Sequence, residues 1–239
     1  MTTPRTLLYG DFSCPWSHLA YRRLELLGEP FELRAVEHDP WQARPSRTRE
    51  DEFSCLREEL DRVSWFLLPG EDLPHTLRGF VPHTRAAVSG YAESYGAGVA
   101  DLAAPLLFDA FWRHGLDLSD AAVVRTLLSD AVESGTSPSD PLRRWGHAVD
   151  VTGGPMTSLA WRLVRAWRQE WVGFDKEVVP LLVLADGEVR HGVDAVEHLG
   201  RAVVDAGLDP GTEPARRHPG PRPPLDGHGR RQVLYPTPA

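Results

Sequence analysis

Cysteine is scarce in this chain. Its 239 residues include two, Cys14 and Cys55, with two methionines and a single lysine, Lys176. Two cysteines are too few for a disulfide framework and fit a reducing compartment, so the expected location is cytoplasmic. Long apolar runs are missing as well. Nothing approaches the length of a spanning helix, and Met1-Thr2-Thr3-Pro4-Arg5 lacks the basic region and apolar stretch of a signal peptide, so no membrane partner is expected. Positive charge is in deficit. A formal net charge of −8 and a pI near 5.7 disfavour nucleic acid as a partner. The ten histidines show no i, i+3 or i, i+4 pairing of the kind a helical metal site uses, and no metal is expected.

What is present reads as an α/β protein. Arg5 to Tyr9 reads as a short buried strand, and Pro15 to Leu27 as a helix that carries Trp16, Leu19, Ala20, Arg23, Leu24 and Leu27 at helical spacing before Gly28. Phe31 to Glu37 alternates apolar and polar residues as a half-buried strand does. From about Gln42 to Trp171 the periodicity is helical throughout. Two stripes, Val99 to Phe111 and Val123 to Val132, are separated by the capping segment Asp117-Leu118-Ser119-Asp120, and Asp140-Pro141 begins another helix. Trp161, Trp167 and Trp171 are expected in the core. Strand character returns at Pro180 to Leu184, turns at Asp186-Gly187, and runs back through Glu188 to His191. A last helix is expected from Asp194, as its cap, to Ala206. The remainder is rich in Pro, Gly and Arg and reads as a tail. The expected division is a discontinuous sheet domain, 5–41 with 172–206, a helical insertion, 42–171, and the tail, 207–239.

The chemistry sits in Cys14-Pro15-Trp16-Ser17, at the start of the first helix. A thiolate there gains from the helix dipole and from unpaired N–H groups, and proline suits the first helical turn. Lowering a thiol from about 8.5 to about 6 takes roughly 3.4 kcal/mol. The helix terminus supplies about 0.3–1 and at most about 2 kcal/mol of that. The turn N–H groups and the Ser17 hydroxyl are the donors expected to supply the rest. Without a cysteine at position 17, attack on a disulfide stops at a mixed disulfide, to be released by an external thiol or by Cys55. The alternative for Cys55 is an ordinary buried cysteine. Asp11 reads as a turn cap, with assistance to proton transfer as the alternative.

The order strand, Cys-Pro-x-x helix, strand, helical insertion, Val179-Pro180, hairpin, helix resembles the thioredoxin-like fold of DsbA-type proteins. It resembles most the branch of FrnE-type oxidoreductases and 2-hydroxychromene-2-carboxylate isomerases. The resemblance covers about residues 5 to 206 and is carried by Asp11 to Leu19, by Leu106 to Trp112 with Gly115 to Asp120, and by Val178-Val179-Pro180. It implies that Pro180 is cis and faces Cys14, with the Val179 backbone available to a bound peptide or thiol. FrnE-type oxidoreductases carry Cys-Pro-Trp-Cys, from which the chain departs at Ser17. The isomerases and kappa-class transferases carry a Ser-Pro-Tyr-type segment whose first serine, which activates glutathione, falls on Cys14. Gly192-Val193-Asp194 is similar to a segment that helps hold glutathione there.

Three readings follow. The leading one is a cytoplasmic DsbA-like thiol-disulfide oxidoreductase acting by monothiol exchange through Cys14 and Ser17, with Pro15, Trp16, Val179, Pro180 and Asp194 as substrate or thiol contacts. The second is a thiol-dependent isomerase or transferase, and the third a non-catalytic binding protein of the same fold. No tightly bound cofactor is expected, with glutathione or another small thiol as co-substrate. The expected partner is a small thiol or disulfide, and a homodimer stays open.

Overall fold

The computed structural model of the chain describes residues 5–38, 49–72, 80–136, 147–174 and 177–211. A helix expected from Asp140-Pro141, and residues 212–239 of the expected tail, lie outside these. The described elements run β1 (Thr6–Gly10), α1 (Pro15–Leu27), β2 (Phe31–Ala35), α2 (Arg49–Ser64), α3 (Arg85–Gly96), α4 (Ala100–Trp112), α5 (Ala121–Ser134), α6 (Ser158–Val172), β3 (Leu181–Val183), β4 (Val189–His191) and α7 (Gly192–Asp205). None of these helices is long and apolar enough to cross a membrane.

Two units share the chain, Met1–Thr84 with Val164–Arg216, and Arg85–Leu163 with Arg217–Ala239. The division differs from the expected 42–171 insertion at both ends. Helix α2 groups with the sheet unit because it packs on α1, which its helical periodicity alone does not reveal. The second boundary falls inside α6, where the sequence has no break.

The sheet order is β2-β1-β3-β4. β1 pairs parallel with β2, as a strand-helix-strand crossover requires, and antiparallel with β3, which forms a hairpin with β4. Central strand β1 buries Leu8 and Tyr9 completely or nearly so. Helices α1 and α7 pack together and reach β1, β3 and β4. The α7 residues Ala195, Val196, Leu199, Gly200 and Val203 are its buried stripe. Helix α1 ends at Gly28, whose φ of 68° no β-carbon favours and whose N–H reaches the carbonyls of Leu24 and Glu25.

Arg23, an unexpected core residue, is buried on α1 with its charge fully used. It forms a two-pronged pair with Glu71 and donates to the carbonyls of Val196 and Phe66. A β-carbon at Gly200 would come 2.8 Å from its guanidinium, so α7 can approach Arg23 only with glycine there.

In the helical unit α3, α4 and α5 pack against one another. Asp120 caps α5 through the Ala122 N–H at 2.7 Å, as its sequence position implies. Buried Glu93 accepts from the Met156 and Thr157 N–H groups and the Thr157 hydroxyl, fixing the chain where α6 begins. Trp161 corrects the expected core, since it is 48% exposed. Trp161 precedes Trp167 and Trp171 by six and ten residues, about 240° and 280° around α6, so it lies on another side of the helix from those two, which are buried.

Candidate functional site around Cys14

The site is assembled within the sheet unit from the β1–α1 turn, the residue preceding cis Pro180, and two groups that arrive from elsewhere in the chain. Cys14 is the N-cap of α1, with extended backbone (φ −86°, ψ 122°), and Pro15 opens the helix. Its own N–H returns to the Asp11 carbonyl at 3.2 Å, and its carbonyl accepts from His18 at 3.0 Å. The Val179–Pro180 bond is cis, and the Cys14 Sγ–H donates to the Val179 carbonyl at 3.8 Å. That carbonyl is presented by a short segment tethered on both sides. Trp171 Nε1 donates to the Val178 carbonyl at 3.0 Å, and Gly192 N–H to that of Pro180 at 2.7 Å. The thiol thus meets the carbonyl of the residue that precedes cis Pro180.

Ser17 is completely buried. Its hydroxyl accepts the Asp11 N–H at 3.2 Å, and both the hydroxyl and the Ser17 N–H favour a thiolate at Cys14, although no capping hydrogen bond closes to the sulfur. Gly10 makes room for it. A β-carbon at residue 10 would lie 3.3 Å from that of Ser17.

Asp11 holds the turn. Its Oδ1 accepts from the Ser13 N–H and hydroxyl at 2.8 and 2.9 Å, and its Oδ2 from the His38 N–H and Thr84 hydroxyl at 2.8 and 2.9 Å. One buried carboxylate therefore ties the thiol's turn to the exit of β2 and to the residue preceding α3. The Asp11-x-Ser13 spacing carries the local half of this arrangement; Thr84, 73 positions away, offered no signal.

The electrostatics overturn the expected thiolate. Burial, reinforced by the charge of Glu59 and more weakly by Asp11, pushes the Cys14 thiol from 9.0 up to about 12, against the pull of Ser17. Only 6% of Cys14 is exposed, so the helix dipole and two Ser17 donors act in a setting where losing the solvation of a thiolate costs more than they return. Cys14 is a neutral thiol at physiological pH.

The other expected residues divide. Trp16 is half-buried, with its ring edge-on to Phe66 at 5.3 Å. Cys55 is exposed rather than buried, and both cysteines are free. Asp194 is not the cap of the last helix. Gly192, with φ 51°, starts α7 earlier, His191 takes the cap position, and exposed Asp194 in the first turn accepts from Arg190 at 3.1 Å. No cluster of metal ligands occurs among the described residues.

No protein-family model matches the chain, and no curated protein is similar to it by sequence. Among solved structures it is similar to a 2-hydroxychromene-2-carboxylate isomerase, at 19% identity and TM-score 0.55, covering 84% of this chain and 95% of that one. It is also similar to a probable DsbA oxidoreductase from Streptomyces coelicolor, at 16% identity and TM-score 0.54, covering 90% and 92%. The chain has the DsbA-like thioredoxin fold that both share.

Proposed function

We propose that the protein is a monothiol exchange protein that takes up a small thiol, such as glutathione, as a mixed disulfide on Cys14. The observation that carries this reading is the seat of Cys14 at the start of α1, against the carbonyl preceding cis Pro180, with serine and not cysteine one turn on. In the exchange, the thiol loses its proton to solvent and its sulfur attacks one sulfur of a disulfide RS–SR. The S–S bond breaks, Cys14–S–SR forms, and RS⁻ leaves and takes up a proton. The reverse step requires an external thiol, because Ser17 cannot resolve the adduct.

The raised thiol makes such a site reluctant to start and reluctant to let go. Raising the pKa from 9.0 to about 12 lowers the thiolate fraction about 10³-fold at neutral pH. The greater nucleophilicity of a more basic thiolate returns only about 20-fold, leaving attack about 50-fold slower than at an ordinary thiol. Once the adduct exists, Cys14 is a poor leaving group, so release that expels it is slow as well. A thiol already protonated at neutral pH keeps its redox equilibrium when its pKa rises further, and the effect of burial is on the rates. Two cysteines in 239 residues suit a reducing, cytoplasmic setting.

Incubation with glutathione disulfide followed by intact-mass analysis tests this. In the Cys55→Ala chain a single glutathione adduct is expected, formed more slowly than the adduct on exposed Cys55 in the Cys14→Ala chain; a Cys55→Ala chain that takes up no glutathione would overturn the reading. The neutral Cys14 Sγ–H favours a second reading, a thiol-dependent isomerase or transferase in which Cys14 donates to a bound thiolate. It predicts saturable glutathione binding without any adduct.

A further inference from the structure

We propose that the sheet unit carries a second binding site, apart from the thiol, for a small neutral molecule with an apolar body and one carbonyl-type oxygen. A cavity of about 330 Å³ opens between α1, the segment that follows α2, and α7. Its volume falls at the lower end of the range for small-molecule sites. Half-buried Phe66 and Leu68 supply apolar lining, and so does Val204. Val204 is 59% exposed and lies outside the buried stripe of α7, so the cavity is the one apolar setting it helps to form. Arg23 lies nine residues after Cys14, roughly 13 Å along the axis of α1. The cavity it lines is therefore a site distinct from the thiol.

Arg23 gives this apolar cavity a polar anchor, although only 1% of the residue is exposed. A guanidinium has about five N–H groups to place. The Nε–H and both Nη2 hydrogens go to Glu71 and the Phe66 carbonyl, and one Nη1 hydrogen goes to the Val196 carbonyl at 2.6 Å. The other Nη1 hydrogen has no acceptor among the described residues. Gly200, also in the lining, keeps open the space beside Nη1 that a β-carbon would enter at 2.8 Å. A buried donor on a charged group gains from an acceptor, and an oxygen of a molecule in the cavity can supply one. Charge decides which kind of oxygen. Glu71 already balances Arg23, and at the rim exposed Glu197 and Asp205 outnumber exposed Arg201. A carboxylate or phosphate would meet net negative surroundings, so the acceptor the site takes is a neutral one.

Acetanilide, a neutral carbonyl beside an apolar ring, is the probe, and N-ethylaniline, with a methylene in place of that carbonyl, is its control. Titration of the full chain followed by ligand-observed saturation-transfer NMR should show acetanilide saturating with a Kd of about 1 mM. N-ethylaniline should bind about fivefold more weakly or worse, because it leaves the Arg23 hydrogen without an acceptor. Val204→Glu places a charge in the lining at an exposed position that tolerates it, and should weaken acetanilide by about fivefold or more. Val151→Glu, at an exposed valine of the helical unit, should leave the Kd unchanged, and so should Cys14→Ala. Saturation absent at about 10 mM, equal affinity for the two probes, or a Kd that Val204→Glu leaves unmoved or that Val151→Glu raises equally overturns the proposal. Loss of binding in Cys14→Ala overturns it too, by placing the probe at the thiol. No disulfide takes part in these titrations, so a chain inert to glutathione disulfide that still binds acetanilide refutes monothiol exchange and leaves this site standing.

Discussion

Replacing Ser17 with cysteine is expected to turn a persistent mixed disulfide into a transient one. The substitution replaces a hydroxyl that accepts the Asp11 N–H at 3.2 Å, and the absence of a β-carbon at Gly10 leaves room beside it for the larger sulfur. It places a second thiol one helical turn after Cys14, on the buried side of α1 from which Ser17 already acts on the sulfur. An intramolecular thiol at an effective concentration of about 1 M, far below the ceiling for well-oriented groups, shortens the adduct's lifetime about 10³-fold relative to ~1 mM external thiol. The attack falls on the Cys14 sulfur and expels glutathione as its thiolate, so the poor leaving ability of Cys14 does not slow this step. Intact-mass analysis over time after loading with glutathione disulfide checks it, with an internal disulfide as the product. An adduct as long-lived in Ser17→Cys as in the parent would mean that residue 17 does not reach the Cys14 sulfur.

The second large effect is on stability. Asp11→Ala is expected to cost about 3–5 kcal/mol, because it removes a buried acceptor and strands the donors on Ser13, His38 and Thr84 at about 1–3 kcal/mol for each that stays dry. Water admitted to the vacated site keeps the total below the simple sum. For a chain of this size the loss lowers the melting temperature by roughly 10 °C. Thermal unfolding followed by circular dichroism measures it, and a shift below about 2 °C would show that the four hydrogen bonds do not brace the turn. The bonds also reach the residue preceding α3, so hydrogen exchange near Thr84 should rise along with exchange at Ser13 and His38.

The pH dependence of stability follows from the same thiol. A group whose pKa rises on folding favours the native state only while protonated. The Cys14 contribution is therefore complete below about pH 9 and is lost as pH climbs toward about 12.

Local chemistry was readable from the sequence wherever the residues that matter are neighbours. Pro15 after Cys14 marks the start of α1, Gly28 its end and Asp120 the start of α5, because capping is settled within four or five residues. The strand-helix-strand order and the hairpin were legible for the same reason, and the cis bond at Pro180 followed from resemblance. The state of Cys14 was not legible. A helix N-terminus and the Ser17 donors are visible in four consecutive residues and argue for a thiolate. The opposing terms, burial and the charge of Glu59, come from the packing of α2 on α1 across some 45 residues of sequence. Glu59 did leave a trace, a carboxylate on the same helical face as Leu56 and Val63. Asp194 was misread because the helix begins as soon as β4 ends, and no intervening loop separates strand from cap.

Cys14 is held as a protonated thiol, and the pH dependence of its alkylation reads that state. In the Cys55→Ala chain the rate of reaction with iodoacetamide should climb about tenfold per unit from pH 7 to pH 10 without levelling off. Burial lowers the whole curve, but only the protonation of the sulfur sets its shape. A plateau reached by pH 7 would contradict the account, because it would mean that the helix terminus and Ser17 outweigh burial and Glu59 and that Cys14 rests as a thiolate.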